Sequence, residues 1–261
     1  MGVFELWAVI KKKKFEPGAV KALDPSSTYR LDLLACLYTN IRQAFYSHTD
    51  AESAYKAIHK ALLRFIAASE PTPNVIIYLD GGWADEKQDT HSRRMTSAEL
   101  AYSKALDHLN RLESYVKNGR WTKNQDRGCT NALKKALTIT DNDKKGLAKY
   151  LQKMKWSVIL ADYEADIQIA KDCNAADIII SRDSDMLVYG NVSTIWRPIS
   201  QGGYLSYNVN EVCNHLALPS RNHLTALGIV SRNDYNRNIR GLGSISNLSL
   251  IKSIPSPAGM F

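Results

Sequence analysis

Residues 164–185 read Glu-Ala-Asp-Ile-Gln-Ile-Ala-Lys-Asp-Cys-Asn-Ala-Ala-Asp-Ile-Ile-Ile-Ser-Arg-Asp-Ser-Asp and hold two acidic pairs, each with one residue between its members. Glu164 and Asp166 open a stretch with the pattern of a short helix, carried on by Ile167, Ala170 and Lys171. Asp183 and Asp185 follow Ile178-Ile179-Ile180, an apolar run of strand length that suits a buried parallel strand. In such sheets ligands sit off the carboxyl ends of the strands. Helix start and strand end would then meet, with four carboxylates in one small volume. Two carboxylates about 4 Å apart repel by roughly 4 kcal/mol at an effective dielectric near 20, so such a cluster calls for cations. Hard oxygen donors with few cysteines or histidines nearby point to magnesium or manganese.

Two more apolar strands end in an acid. Thr28–Leu31 runs into Asp32, and Asn74–Leu79 runs into Asp80-Gly81-Gly82, where the glycines allow a sharp turn. A single aspartate at a strand end is often a helix cap. Three such strands, together with Glu164 and Asp166, exceed what capping needs, and the site reading is preferred.

The elements that would carry these acids alternate between strand and helix. Helical patterns run over Leu33–Tyr46 and over Ala51–Ala68, the second with Thr49 or Asp50 as cap and Ala54, Ile58, Ala61, Leu62 and Phe65 on one face. A long polar helix is expected over Asp85–Lys117, followed up to Lys155 by short helices joined by mobile loops rather than by a packed core. Further strands are expected at Trp156–Leu160, Leu187–Tyr189, Val192–Trp196 and Tyr204–Tyr207, the last two as an antiparallel edge. Asn208 or Asn210 would cap a helix to Leu218, and Pro219 would start the next. An amphipathic helix after Gly243 closes the pattern, with Ile245, Leu248, Leu250, Ile251 and Ile254. The alternation predicts an α/β fold with a mainly parallel twisted sheet and helices on both faces. At 261 residues, one domain is expected.

Composition narrows the class. The four cysteines are scattered with no Cys-x-x-Cys pair, which argues against a disulfide framework or structural zinc and for a reducing intracellular compartment. No apolar run reaches the length of a membrane span, and no signal-peptide pattern opens the chain. Net charge is +8, and residues 111–155 alone hold 12 Lys/Arg against 4 Asp/Glu, so the rest of the chain balances. A basic segment beside an acidic cluster suits a polyanion held near metal ions. A solvated lysine-rich helical surface explains the charge equally well. Lys11–Lys14 reads as a solvated turn, with a phosphate contact or nuclear address as the other possibility.

With these residues assembled, the chain resembles the flap endonuclease and xeroderma-pigmentosum-type (XPG) family of structure-specific 5′ nucleases. The resemblance starts at Met1-Gly2-Val3, where the family keeps its N-terminus near the active centre. Asp32 and Asp80 fall on the first two metal-site acids, and Tyr38 falls on an aromatic that stacks on substrate. Lys87 and Arg94, seven and fourteen residues beyond Asp80, match two basic side chains at the base of a helical arch that contact the scissile phosphate. Tyr163-Glu164-Ala165-Asp166 matches a Glu-Ala-Glu motif with Asp in place of the second Glu. Arg182-Asp183-Ser184-Asp185 matches the next pair, and Asn233-Asp234-Tyr235 the final acid. Arg240-Gly241-Leu242-Gly243 is similar to the start of a helix–two-turn–helix that grips duplex DNA. Departures are equally visible: bulky Leu33-Leu34 after Asp32, a ligand arm one methylene shorter at Asp166, and no basic residues in Ser244–Leu250.

The resemblance implies a PIN-like 5′ nuclease fold made of an N-terminal part (1–84), a helical arch with the basic segment (85–155), and an internal part (156–254) with the helix–two-turn–helix near 231–254. It implies two-metal phosphodiester hydrolysis with Mg2+, for which Mn2+ would substitute. Asp80, Glu164, Asp166, Asp183 and Asp185 would form the cradle, with Asp32 and Asp234 orienting metal-bound waters. Lys87 and Arg94 would neutralise the phosphate. Gly2, Tyr38, Arg240, Gly241 and Gly243 would touch nucleic acid, although Tyr38 taken alone reads as a packing residue. The expected partner is DNA that is branched or carries a 5′ single-stranded end, with RNA as the other polyanion, acted on by a nuclear monomer without a sliding-clamp peptide. Two other readings stand beside this one. The same fold could serve as a binding module with weak or lost catalysis, or the chain could be an α/β phosphatase or nucleotide-binding domain. The absence of a Gly-x-x-x-x-Gly-Lys loop counts against the third.

Overall fold

The computed structural model describes residue 3 and residues 5–82, 88–120, 122–233, 238–239 and 241–255. Its strands are β1 (Gly18–Val20), β2 (Tyr29–Asp32), β3 (Val75–Leu79), β4 (Ser157–Leu160), β5 (Ile178–Ile180), β6 (Thr194–Pro198) and β7 (Tyr204–Asn208). They form one sheet in the order β1-β7-β6-β5-β2-β3-β4. Neighbours from β6 through β5, β2 and β3 to β4 are parallel. β7 runs antiparallel to β6, and β1 antiparallel to β7. The chain builds outward from β2 to β4 on one side, then resumes with β5 on the other. The carboxyl ends of β2 and β5 therefore flank the point where strand order reverses, the usual ligand crevice of open α/β sheets.

Side-chain alternation explains why helices cover both faces. Tyr29, Leu31, Val75, Ile77, Leu79 and Ile180 turn to one face and pack with α2 (Leu33–Ser47), α3 (Ala51–Phe65) and α6 (Asp141–Lys153). Tyr78, Ile179, Ile195 and Tyr207 turn to the other. There they meet α1 (Leu6–Lys12), α7 (Ala165–Asp172), α8 (Val209–His215), α9 (Arg221–Val230) and α10 (Ser244–Ser253). α4 (Gln88–Lys117) and α5 (Lys123–Ala136) pack on each other. Capping follows the sequence: Asp50 accepts from the Ser53 amide at 2.8 Å, and Asn208 accepts from the Asn210 and Glu211 amides. Leu33 is fully buried directly behind Asp32, so the bulky pair there is core, and β2 pairs in regular register on both sides.

Several expectations need correcting. Residues 141–153 are not a loosely joined surface helix. Lys144, Leu147, Ala148 and Leu151 recur at helical spacing and are buried, and the last three join the core over α2 and α3. Leu187–Tyr189 is no strand, because the chain makes a single 3-10 turn at Asp185–Leu187 and then turns again. The antiparallel pair β6–β7 is not the edge, since three residues near the N-terminus add β1 outside it. The helix after Pro219 begins at Arg221, behind Ser220. The start of the long helix before Gln88 lies outside the described residues. All four cysteines are buried and free. Among the described residues, no helix is long and apolar enough to cross a membrane.

Candidate active site

Four of the predicted acids gather off the carboxyl ends of β2, β3 and β5. Asp32 ends β2 and caps α2, its Oδ1 accepting from the Ala35 amide at 3.0 Å. Its Oδ2 accepts from the Ser181 hydroxyl at 3.2 Å. The same hydroxyl oxygen accepts from the Asp183 amide at 3.0 Å, so one serine ties the end of β2 to the loop behind β5. Asp183 Oδ1 then accepts from the Asp185 amide at 3.1 Å, folding the second acidic pair into the turn. From the β3 side, Asp80 Oδ1 accepts from the Ala165 amide at 2.8 Å and thereby fixes the start of α7, where Glu164 is the N-cap residue. Asp166, within the first turn of α7, is 7% exposed and accepts from the Ile167 amide at 2.8 Å and the Tyr189 hydroxyl at 3.0 Å.

The electrostatics report the same convergence. Burial pushes the Asp32 carboxyl well above the usual carboxylate range. Repulsion from Asp80 is the next largest influence, and Asp183 and Asp166 push the same way against the Ala35 amide. Like charges are therefore drawn together around Asp32 without a neutralising basic side chain among its leading influences.

The turn after Asp80 requires glycine. A Cβ on Gly81 would lie 1.7 Å from the Ala161 carbonyl oxygen. The backbones are zipped by Gly81 N–H to Tyr163 O at 2.7 Å and Gly82 N–H to Asp162 O at 3.0 Å. Lys144 of α6, 5% exposed, donates from Nζ to the Gly81 carbonyl at 3.0 Å and pairs with Asp141 at 2.7 Å. The N-terminal segment docks against the acidic loop through Ser184 Oγ to Val3 O at 3.1 Å and Trp7 Nε1 to Arg182 O at 3.1 Å.

Other predicted residues lie apart from this cluster or outside the described residues. Tyr38 is 41% exposed on α2 with the Arg42 guanidinium 5.5 Å from its ring centre, so the packing reading does not hold. Gly241 and Gly243 precede α10, and Gly243 is its N-cap residue. Buried Asn247 of α10 holds the preceding loop through Ser231 at 3.2 Å and Asn238 at 2.8 Å. His223 of α9 reaches the Ile254 carbonyl at 3.0 Å, so α9 and α10 form a joined pair. Gly2, Lys87, Asp234 and Arg240 lie outside the described residues, as does the side chain of Arg94 in α4.

The donor chemistry at the cluster fits a hard divalent cation. Every candidate donor is a carboxylate oxygen, and their mutual repulsion is the strain such an ion relieves. As placed, no group of three or more His, Cys, Asp or Glu side chains among the described residues closes tightly enough to hold an ion.

Ser181, Tyr189 and Lys144 were not foreseen as parts of this site. Lys144 was legible in principle, because its spacing from Leu147, Ala148 and Leu151 puts it on the buried stripe. Ser181 and Tyr189 act through hydrogen bonds between segments distant in sequence, which leave no local pattern.

No family model matches the chain. Exodeoxyribonuclease 1 of Schizosaccharomyces pombe is 26% identical over 220 residues, which is 82% of this chain and 35% of that protein. Single-strand DNA endonuclease 1 of Arabidopsis thaliana is 31% identical over 98 residues, 36% of this chain and 16% of that protein. The chain therefore spans about a third or less of the length of these relatives. Among solved structures, the catalytic core of Rad2 in complex with DNA substrate superposes with a TM-score of 0.60 at 18% identity, over 96% of this chain and 68% of that one. Another structure of the same core gives 0.57. The fold is thus an α/β core of the kind seen in these structures, with four acids near the point where strand order reverses. By sequence the chain is similar to these DNA nucleases over part of their length, and it shares the fold of the Rad2 catalytic core.

Proposed function

We propose that the chain is a metal-dependent, structure-specific 5′ nuclease that hydrolyses phosphodiester bonds in branched or flapped DNA. The observation that carries this reading is the gathering of Asp80, Asp166 and Asp183 around Asp32 at one point of the sheet, each of the three raising the cost of ionising Asp32. Two relatives named for DNA nuclease activity and a fold neighbour bound to DNA substrate support it.

Asp80, Glu164, Asp166, Asp183 and Asp185 would hold two magnesium or manganese ions, with Asp32 and Asp234 orienting bound waters. Bound there, the pair supplies an activated water and charge for the leaving oxygen. The chain's own residues do the rest. Ser181 and the Ala35 amide hold Asp32 in one orientation, and the Ala165 amide holds Asp80. Lys87 and Arg94 would neutralise charge on the scissile phosphate. Tyr38, exposed on α2, offers a ring face for stacking on a base. Backbone amides at the start of α10 would take a phosphate of the duplex. α4 and α5 would form the arch over a single-stranded 5′ end. The same reading has the protein work in the nucleus as a monomer.

Labelled flap, nicked and single-stranded DNA and matching RNA would be incubated with the protein and magnesium, and the cuts mapped. Cleavage near the branch is expected, and Asp183→Asn should reduce it on the order of 100-fold or more while leaving DNA binding in place. DNA that is bound but uncut with magnesium or manganese, and no effect of Asp183→Asn, would establish the binding-module reading instead.

A further inference from the structure

Asp166 is the acid that departs from the family's glutamate, and both of its oxygens are taken up within the protein. Oδ1 accepts from the adjacent Ile167 amide at 2.8 Å and Oδ2 from the Tyr189 hydroxyl at 3.0 Å. An aspartate has two side-chain torsions, and two bonds to fixed donors determine both. Each oxygen retains a further acceptor site, so the carboxylate is oriented rather than withdrawn.

Tyr189 is itself held by α9. The Arg221 guanidinium donates to the carbonyls of Tyr189 at 2.8 Å, Gly190 at 3.3 Å and Val192 at 2.7 Å. Thr225 Oγ1 donates to the Val188 carbonyl at 2.7 Å. Gly228, one turn further on, lets the helix approach so closely that a Cβ there would lie 2.8 Å from the Val188 side chain. Three successive turns of α9 thus grip residues 188–192. Tyr189 also lines a pocket of about 190 Å³ with Val3, Asp185, Thr225 and Asn233, on the side of the second acidic pair.

We propose that Tyr189 is a positioning residue for Asp166, set in place by Arg221, and that through it α9 fixes the shortened ligand arm at the metal site. The proposal rests on the nuclease reading for its metal. Partners behind metal ligands typically change affinity or activity about 10–100-fold when lost.

The test compares wild type with Tyr189→Phe, which keeps the ring and removes only the hydroxyl, and with Arg221→Met, which removes the Nη2 donor that reaches the carbonyls of Tyr189, Gly190 and Val192. Manganese binding is measured by electron paramagnetic resonance, melting temperature with and without magnesium, and the magnesium dependence of flap cleavage. For Tyr189→Phe the expected result is manganese affinity weakened about 10-fold or more, a smaller magnesium-induced rise in melting temperature, and half-maximal cleavage at a correspondingly higher magnesium concentration. Its metal-free melting temperature should stay close to that of wild type, and Arg221→Met should shift metal affinity the same way. Unchanged manganese affinity in Tyr189→Phe overturns the proposal, as does a loss seen only as lower metal-free stability. If wild type cleaves DNA while Tyr189→Phe matches it throughout, the proposal falls and the nuclease reading stands. If wild type binds manganese but cuts nothing, and Tyr189→Phe weakens that binding, the positioning role is upheld and the nuclease reading falls.

Discussion

At the scale of single residues, Asp32 is the most informative position. Its carboxyl titrates well above the ordinary range, first because it is buried and then because of Asp80. The folded protein therefore binds this proton more tightly than the unfolded chain, whose value is about 3.9. The resulting stability is complete below that value and is lost as pH rises through the folded-state value. Metal-free protein should accordingly melt lower at pH 7.5 than this group alone would allow in mild acid. Asp32→Asn keeps an oxygen for the Ala35 amide and removes the charge. In chelator at pH 7.5 it should melt a few degrees above wild type, with about 2–4 °C for each kcal/mol relieved, and the gap should narrow toward pH 4. Thermal melts across that range decide the matter; a variant that melts lower than wild type at pH 7.5 would show that Asp32 is not strained. The strand-ending position of Asp32 made it legible as a site acid, and it proved to be a cap as well. The Ser181 bridge was not legible, because nothing near residue 181 signals that its hydroxyl faces a strand about 150 positions earlier.

At the scale of elements, α6 shows how charge misleads and periodicity corrects. Its lysines made residues 141–153 look like surface, yet the stripe Lys144-Leu147-Ala148-Leu151 is buried. Lys144 spans from that stripe to the Gly81 carbonyl, beside Asp80. Lys144→Met removes the donor while its ion partner Asp141 remains half in water. The expected cost is about 1.5–3 kcal/mol, the range for hydrogen bonds from charged groups. Exposed Lys145→Met should cost under about 0.5 kcal/mol. Urea denaturation of both variants checks this, and equal midpoints would show that Lys144 holds nothing. Strands β2 to β5 were readable because each is a short, mainly apolar run bounded by turn or helix signals. β1 was not, since three residues at an edge carry too little pattern, and the 3-10 turn at Asp185–Leu187 was hidden within an apolar stretch that reads equally as strand.

At the scale of the whole molecule, alternation of strand and helix sufficed for the α/β class, and the order of acids pointed toward nucleases such as those the chain is similar to. The basic segment was located correctly in sequence but divides in space, with α6 in the body and α5 packed on α4. Exposed lysines and arginines of this kind bind phosphate by releasing counterions, so DNA affinity should fall steeply with salt. Between 50 and 200 mM salt a loss of at least about tenfold is expected in fluorescence anisotropy, since six to ten phosphate contacts would give about 10³–10⁵. Affinity that is flat over this range would argue against a phosphate-tracking surface. The Lys144–Gly81 contact has a consequence at this scale as well. It joins residues 63 positions apart, so the intervening chain starts and finishes at the same doorstep. The entropy of closing such a detour grows only with the logarithm of its length, about 0.6 kcal/mol for each doubling. The sheet is therefore nearly indifferent to how long the detour is, and the segment between the two anchor points can be lengthened or trimmed without disturbing the acids at the carboxyl ends of the strands.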